Sequence, residues 1–155
     1  MDGATSGTPS TVACGGIYRN NEVVCIGCFA QNLGFDSSLI AELSGAMQAI
    51  EIAYRKNWRN LWLETDSMLV VLAFKSITTV PWSLKSRSKN CINLTRNMNF
   101  VVSHIYRKGN SCADRLVNIG LSVTSLVWFD EFHSEYRTEY IRNMLGLPSY
   151  RFVNV

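Results

Sequence analysis

A short apolar strand that runs directly into an apolar helix is the feature that most limits how this chain can fold. Residues 61–65 have the composition of a buried strand, Asp66 ends it, and residues 67–75 continue as a short helix. A strand followed at once by a helix is typical of βα units, which require parallel pairing somewhere in the sheet. The sequence therefore predicts an α/β protein.

Strands precede this unit and helices flank it. Residues 12–19 and 22–29 are β-rich runs joined by Asn20 and Asn21, which predicts an antiparallel hairpin. Residues 38–56 carry apolar side chains at the spacing of one helix face, which predicts a long helix. A basic helix, a strand and a further helix are then predicted over residues 83–97, 100–106 and 111–120. The order is β-β-β-α-β-α-α-β-α if one more strand precedes Ala4.

Size and composition exclude several classes of protein. The 155 residues suit one domain of ordinary size, at roughly 100 to 200 residues each. We predict a domain over residues 1–120 and a C-terminal extension over residues 121–155, with one helix at 134–145. The content of 47% hydrophobic and 17% charged residues excludes a disordered or fibrous chain.

Location and partners follow from three further properties of the sequence. The longest apolar run, residues 68–74, is far shorter than the roughly 20 residues of a membrane span, and no signal sequence precedes Asp2. The odd number of cysteines, 5, indicates free thiols in a reducing compartment. We therefore expect an intracellular protein, nuclear or cytoplasmic, with no membrane partner. Its net charge of +3 permits a polyanionic partner.

One carboxylate falls on the apolar face of the long predicted helix. Glu42 lies between Leu39 and Ala46 at 100° per residue, inside the apolar stripe. A buried carboxylate is costly unless it has a cation or a hydrogen-bond donor beside it. The pattern predicts either a functional carboxylate or a residue with a local salt bridge or at the margin of the stripe.

Three more carboxylates stand at the ends of predicted elements. Asp66 follows a strand at the edge where α/β proteins bind ligands, although taken alone it is favoured as the cap of the helix that begins at Ser67. Asp114 stands three residues after Ser111, as in a capping box, and Asp2 lies beside the predicted first strand. Two Mg²⁺ ions about 4 Å apart require several carboxylates from different elements, and these four residues would supply them.

The carboxylates lie within motifs that occur in a recognisable order. These motifs are Asp2-Gly3-Ala4, Ala13-Cys14-Gly15-Gly16-Ile17-Tyr18-Arg19, Ala41-Glu42-Leu43, Leu63-Glu64-Thr65-Asp66-Ser67, and His104-Ile105-Tyr106-Arg107-Lys108-Gly109-Asn110 leading into Ala113-Asp114. Over about residues 2–120 the chain resembles the ribonuclease H superfamily, specifically the plant ribonuclease H-like domains related to reverse transcriptases of retrotransposons.

The resemblance implies a fold, an activity and a set of site residues. The fold would be a mixed five-stranded sheet with helices packed on both faces, in a monomer. The activity would be Mg²⁺-dependent endonucleolytic cleavage of the RNA strand of RNA/DNA hybrids, with Mn²⁺ as a possible substitute. The catalytic residues and metal ligands would be Asp2, Glu42, Asp66 and Asp114. The substrate-binding residues would be Gly3, Ser67, Arg107 and Lys108.

The chain also departs from this family in two places. Only Met1 precedes Asp2, where family members carry several apolar residues, so the first strand is expected to be truncated. Arg107 stands where many ribonucleases H have a mobile His, and Arg cannot act as a general base at neutral pH. The alternatives are therefore a catalytically inactive nucleic-acid-binding remnant of a retroelement and an interaction protein that keeps only the fold.

Two other groups of residues admit a functional and a structural interpretation. Cys25 and Cys28 have the spacing of zinc ligands, but they fall in a predicted strand and favour core packing. Trp82 begins a basic segment that could contact phosphates or form a solvated face. Its cations are Lys85, Arg87, Lys89 and Arg96. His104 is predicted to be a strand residue.

Overall fold

Six strands and four α-helices form the part of the chain that the structure, a computed structural model, describes: residues 10–22, 24–76, 79–105, 111–130 and 151–152. The strands are β1 (Ser10–Arg19), β2 (Cys25–Asp36), β3 (Asn60–Thr65), β4 (Asn99–His104), β5 (Val127–Phe129) and β6 (Arg151–Phe152). The helices are α1 (Ser38–Arg55), α2 (Met68–Lys75), α3 (Lys85–Thr95) and α4 (Ser111–Ser122), with a short 3-10 helix at Trp82–Leu84 before α3.

The strands form one mixed sheet in the order β4-β3-β6-β1-β2-β5. β1 and β2 pair antiparallel, β3 and β4 pair parallel, and β6 lies between β1 and β3. The predicted α/β class, the mixed sheet and the parallel pairing are confirmed, and β5 and β6 are additions to the predicted strands. The strand expected before Ala4 and the helix expected over residues 134–145 lie outside the described residues. The division at residue 120 stays a prediction.

The hairpin of β1 and β2 is confirmed, but its predicted two-residue link is wrong. β2 begins at Cys25, and the Asn20 side chain folds over the loop, where its Oδ1 accepts from the backbone N–H groups of Glu22 at 2.9 Å and Val24 at 3.0 Å. A bulge follows, because Arg19 pairs with Cys25 whereas Tyr18 already pairs with Gly27. The Asn20 bonds stabilise the wider loop, and strand periodicity encodes neither the loop nor the bulge.

Successive residues of β1 point to opposite faces of the sheet, and each face carries helices. Tyr18 packs in the main core beneath α1, where its hydroxyl donates to the carbonyl oxygen of Ala49 at 2.5 Å. Ile17 packs on the other face with Leu116 of α4. This alternation, which follows from strand geometry, gives a sheet covered on both faces, as predicted.

Helix α4 lies directly on the backbone of the hairpin. A Cβ added to Gly15 would be 2.7 Å from the Cβ of Leu116, a separation that real structures essentially never show. A Cβ added to Gly120 would be 2.9 Å from the Cβ of Ala13. Glycines on both the strand and the helix therefore set how closely α4 approaches the sheet.

An ion pair joins α1 to α3. The Arg87 Nε donates to Glu51 Oε1 at 2.8 Å, and its Nη2 donates to Glu51 Oε2 at 3.1 Å and to Gln48 Oε1 at 2.9 Å. The hydrogen bonds with Glu51 raise the pKa of Arg87 above its usual value. Arg87 is thus engaged within the protein, which removes it from the cations that sequence analysis offered for phosphate contacts.

The four described cysteines are free thiols, as predicted, and three are buried. Burial raises the pKa of Cys14 and of Cys91 to about 12. A hydrogen bond with Cys25, together with burial, raises the pKa of Cys28. Cys28 is buried beside Leu116 and Cys25 packs against that cluster, so the core-packing interpretation of this pair is confirmed.

Thiol reactivity should follow this burial. At pH 8 iodoacetamide is expected to label Cys25 at least about tenfold faster than Cys14, Cys28 or Cys91, because the thiolate is the reactive species. For Cys14 and Cys91 the pKa is raised from 9.0 in the unfolded chain to about 12. Their contribution to stability is therefore complete below pH 9 and falls as pH rises towards 12. Mass spectrometry of labelled peptides measures the labelling rate of each cysteine. Equal rates at Cys14, Cys25, Cys28 and Cys91 would contradict the burial described here for three of them.

Among the helices that the structure describes, none has both the length and the apolar character of a membrane span.

Candidate active site

The parallel strands β3 and β4 end together at one edge of the sheet. Thr65 is in register with His104, and the Thr65 carbonyl oxygen accepts from the backbone N–H of Ile105 at 2.9 Å. Asp66 follows immediately and is half-buried at this edge. Asp66 therefore occupies the place outside the carboxyl ends of parallel strands where α/β proteins bind ligands.

Ser67, rather than Asp66, caps helix α2. The Ser67 backbone is extended and its Oγ accepts from the backbone N–H of Val70 at 3.4 Å, so the helix begins at Met68. The interpretation of Asp66 as the helix cap is therefore wrong by one residue. Asp66 is instead the residue that turns the chain from β3 into the cap.

Glu42 lies in the first half of α1 and its side chain is exposed, so its predicted burial is wrong. Its neighbours Ala41 and Leu43 are both buried, which places Glu42 at the margin of the apolar stripe, as the alternative interpretation held. The Ser67 hydroxyl donates to Glu42 Oε2 at 2.8 Å. This bond holds the carboxylate of α1 beside the residue that follows Asp66.

The remaining predicted site residues are described in part or not at all. Asp114 lies on α4 close to its beginning at Ser111, but its side chain is not described. The other four, Asp2, Gly3, Arg107 and Lys108, lie outside the described residues. Within the described ranges no three His, Cys, Asp or Glu side chains are close enough to share a metal ion. The full set of four ligands therefore stays a prediction.

The two described carboxylates have the donor chemistry that a hard divalent cation needs. Asp66 directly precedes Ser67, and consecutive Cα atoms are about 3.8 Å apart. Since Ser67 also bonds Glu42, Glu42 and Asp66 lie at the same corner of the sheet. Carboxylate oxygens are the protein ligands that Mg²⁺ prefers, so this part of the site fits the predicted metal.

The hydrogen-bonding roles of Ser67 and Thr65 were not predicted from the sequence. The Ser67 backbone N–H donates to Thr65 Oγ1 at 3.1 Å, which fixes the turn after β3. The sequence did carry a signal for the cap, since Ser is favoured immediately before an apolar helix. It carried none for the bond to Glu42, which joins residues 25 positions apart.

A basic surface lies on α3. Trp82 is 87% exposed at the start of this segment, and the side chains of Lys89 and Arg96 are exposed. No acidic residue occurs within Lys85–Thr95. Since Arg87 is bound to Glu51, the cations open to an anionic partner are fewer than the sequence suggested.

Known proteins share both the sequence pattern and the fold. The family model described as reverse transcriptase-like matches residues 1–120. An Arabidopsis thaliana protein whose name provisionally assigns it to the ribonuclease H proteins is 30% identical over 124 residues, which are 79% of this chain and 20% of that protein. The chain thus spans about a fifth of the length of this relative.

Two solved structures have the same fold. Ribonuclease H1 of the archaeon Halobacterium salinarum superposes with a TM-score of 0.66 at 21% identity, covering 77% of this chain and 92% of the archaeal one. The LC11 ribonuclease H1, isolated from compost, was solved with an RNA/DNA hybrid and superposes with a TM-score of 0.64 at 20% identity. It covers 75% of this chain and 89% of the LC11 chain. The chain belongs to the reverse transcriptase-like family and is a ribonuclease H-like domain.

Proposed function

We propose that this chain is a Mg²⁺-dependent endonuclease that cleaves the RNA strand of RNA/DNA hybrids, with Asp2, Glu42, Asp66 and Asp114 as its metal ligands. The observation that carries the proposal is the hydrogen bond of Ser67 to Glu42, because it brings a carboxylate from α1 to the edge where Asp66 ends β3. Carboxylates that converge from separate elements are what two-metal hydrolysis requires.

The residues of the chain would divide the work as follows. When bound, two Mg²⁺ ions supply an activated water and stabilise the charge on the leaving 3′ oxygen. Glu42 and Asp66 contribute anionic oxygens and hold fixed positions on α1 and after β3. Asp2 and Asp114 complete the set. The products would carry 5′ phosphate and 3′ hydroxyl ends, and backbone groups near Gly3 would contact the 2′-OH that distinguishes RNA from DNA.

Binding of the hybrid would draw on cations beyond the carboxylate corner. Lys89 lies on the acid-free α3 and Arg96 directly follows it, and the exposed Trp82 ring offers a face for a sugar or base. Arg107 and Lys108, which follow β4 in the sequence, are further proposed phosphate contacts. A partly basic surface of this kind suits a polyanion whose phosphates are evenly spaced.

The α3 surface gives a prediction about salt dependence. Lys89→Ala and Arg96→Ala should each weaken hybrid binding and reduce the slope of log K against log salt by about 1, because each cation releases about one counterion. Fluorescence anisotropy of a labelled hybrid at several salt concentrations measures the slope. Lys75→Ala, at the exposed end of α2, is the matched control and should leave it unchanged. A slope equal to that of the unmodified protein in both α3 variants would exclude α3 from the interface.

The direct test of the proposed function is cleavage of a labelled RNA/DNA hybrid by the purified chain in Mg²⁺ and in EDTA. Cleavage that requires Mg²⁺, produces 5′ phosphate ends and spares an RNA duplex is the expected result. Tight binding of the hybrid without cleavage would favour the alternative of an inactive nucleic-acid-binding remnant. Neither binding nor cleavage, even at low salt, would leave an interaction protein that keeps only the fold.

A further inference from the structure

The hydroxyl of Ser67 is buried and uses its only hydrogen inside the protein. Ser67 is only 8% exposed. Its one hydroxyl hydrogen goes to Glu42 Oε2 at 2.8 Å, and its oxygen accepts from the backbone N–H of Val70 at 3.4 Å. A hydroxyl has a single hydrogen to donate, so the same group cannot also donate to a nucleic acid without breaking the bond to Glu42.

We propose that Ser67 is a positioning residue that orients the Glu42 carboxylate for metal binding, and that its hydroxyl does not donate to the substrate. The inference rests on the proposed function and replaces the substrate-binding role that the family resemblance implied for Ser67. Glu42 is exposed on α1, and a long exposed side chain samples several rotamers unless something holds it. The Ser67 hydroxyl holds Oε2 in place, and Oε1 would then be the oxygen of Glu42 left to bind the metal.

Ser67 can act in this way because the sheet fixes its own position. Its backbone N–H donates to Thr65 Oγ1 at 3.1 Å, and Thr65 is held in register with His104 of β4. The extended backbone of Ser67 then starts α2. Glu42 of α1 is therefore hydrogen-bonded to a residue that is itself held at the end of β3. Hydrogen bonds that orient a metal ligand typically change metal affinity by about 10- to 100-fold.

Two substitutions separate the cap from the bond to Glu42. Ser67→Gly removes the donor, whereas glycine at an N-cap costs the helix little. Ser67→Thr keeps both the cap and the donor and is the matched control. Mg²⁺ affinity is measured by titration calorimetry, hybrid affinity by anisotropy in EDTA, and stability by urea denaturation.

The expected result is a loss of about tenfold or more in Mg²⁺ affinity for Ser67→Gly, with nearly unchanged stability and unchanged hybrid affinity in EDTA. Ser67→Thr should behave like the unmodified protein. A loss of stability with normal Mg²⁺ affinity would show that Ser67 is only a helix cap. A loss of hybrid affinity in EDTA with normal Mg²⁺ affinity would show that it contacts substrate. Either outcome overturns the inference.

Side-chain ¹³C relaxation of Glu42 in the metal-free protein separates this inference from the proposed function. Glu42 should be ordered in the unmodified protein and in Ser67→Thr, and mobile in Ser67→Gly. Equal mobility in all three proteins overturns the positioning role whether or not metal binds. Absence of Mg²⁺ binding by the unmodified protein, together with the expected change in mobility, would overturn the proposed function and leave the orienting bond intact.

Discussion

Replacing Asp66 with Asn should abolish hybrid cleavage while preserving or strengthening hybrid binding. The amide keeps the size of the side chain but removes the anionic charge of a proposed metal ligand directly after β3, where a phosphate of the substrate would approach. We expect the cleavage rate to fall by at least about 1,000-fold, which corresponds to about 4 kcal/mol of lost transition-state stabilisation. The loss of a charge that repels phosphate should leave the affinity equal or higher.

Single-turnover cleavage and anisotropy in EDTA measure the two effects separately. Asp130→Asn is the matched control, because Asp130 is exposed after β5, at the edge of the sheet opposite β4. Its Oδ1 accepts from the Trp128 indole N–H at 2.9 Å, and an Asn oxygen can keep that bond. Cleavage that persists in Asp66→Asn would show that Asp66 is not a catalytic residue. If Asp130→Asn also lost cleavage, the loss in Asp66→Asn would reflect the change in net charge rather than the removal of a metal ligand.

Replacing Gly15 with Ala should destabilise the whole domain by about 1 to 3 kcal/mol, the usual cost of overpacking. The new Cβ would lie 2.7 Å from the Cβ of Leu116 and 3.0 Å from the carbonyl oxygen of Phe29. Neither neighbour is the end of a flexible side chain, so α4 must move away from the hairpin. Because Asp114 is carried by α4, cleavage should fall together with stability.

Urea denaturation measures the change in the free energy of unfolding. Gly34→Asn is the control, since a Cβ at Gly34 meets nothing within 4 Å and Asn tolerates the positive φ of 74° found there. The control is expected to change stability by less than about 1 kcal/mol. An unfolding curve for Gly15→Ala that coincides with that of the unmodified protein would mean that α4 is not seated against the strand as described.

Local sequence correctly predicted the helices and strands whose apolar period begins or ends at a recognisable boundary residue. The predicted helix over residues 38–56 matches α1 (Ser38–Arg55) closely, because its apolar period begins beside Ser37, whose Oγ caps it by accepting from the backbone N–H of Ile40 at 3.3 Å. Strand β3 and helix α2 agree for the same reason. The α/β class and the place of Asp66 at the end of a strand followed from these elements.

Local sequence could not decide which of two adjacent residues caps helix α2, or whether Glu42 is buried. Asp66 and Ser67 are both favoured helix caps, and the pairing of Thr65 with β4 places the cap at Ser67. The helical wheel placed Glu42 among apolar residues by angle alone. Its exposure depends on how far the core extends across α1, which is a tertiary property.

The unpredicted strands owe their existence to distant partners. β5 is three residues long and pairs in register with β2, as in Cys28 with Phe129. β6 is two residues long, and its Arg151 is paired with Arg19 on one side and Trp62 on the other. Neither segment is long enough to show a period of two. Only the assembled sheet defines them.

The position of β6 divides the sheet into two sets of paired strands. β1, β2 and β5 form one ladder and β3 and β4 form another, and in the described residues they meet through the two-residue β6. Helix α1 packs on both β1 and β3, so it connects the two ladders. Glu42 lies on α1. Asp66 follows β3 of one ladder, and Asp114 lies on α4, which packs on β1 and β2 of the other. Local unfolding that separates the two ladders would therefore move the candidate site residues apart before either ladder unfolds.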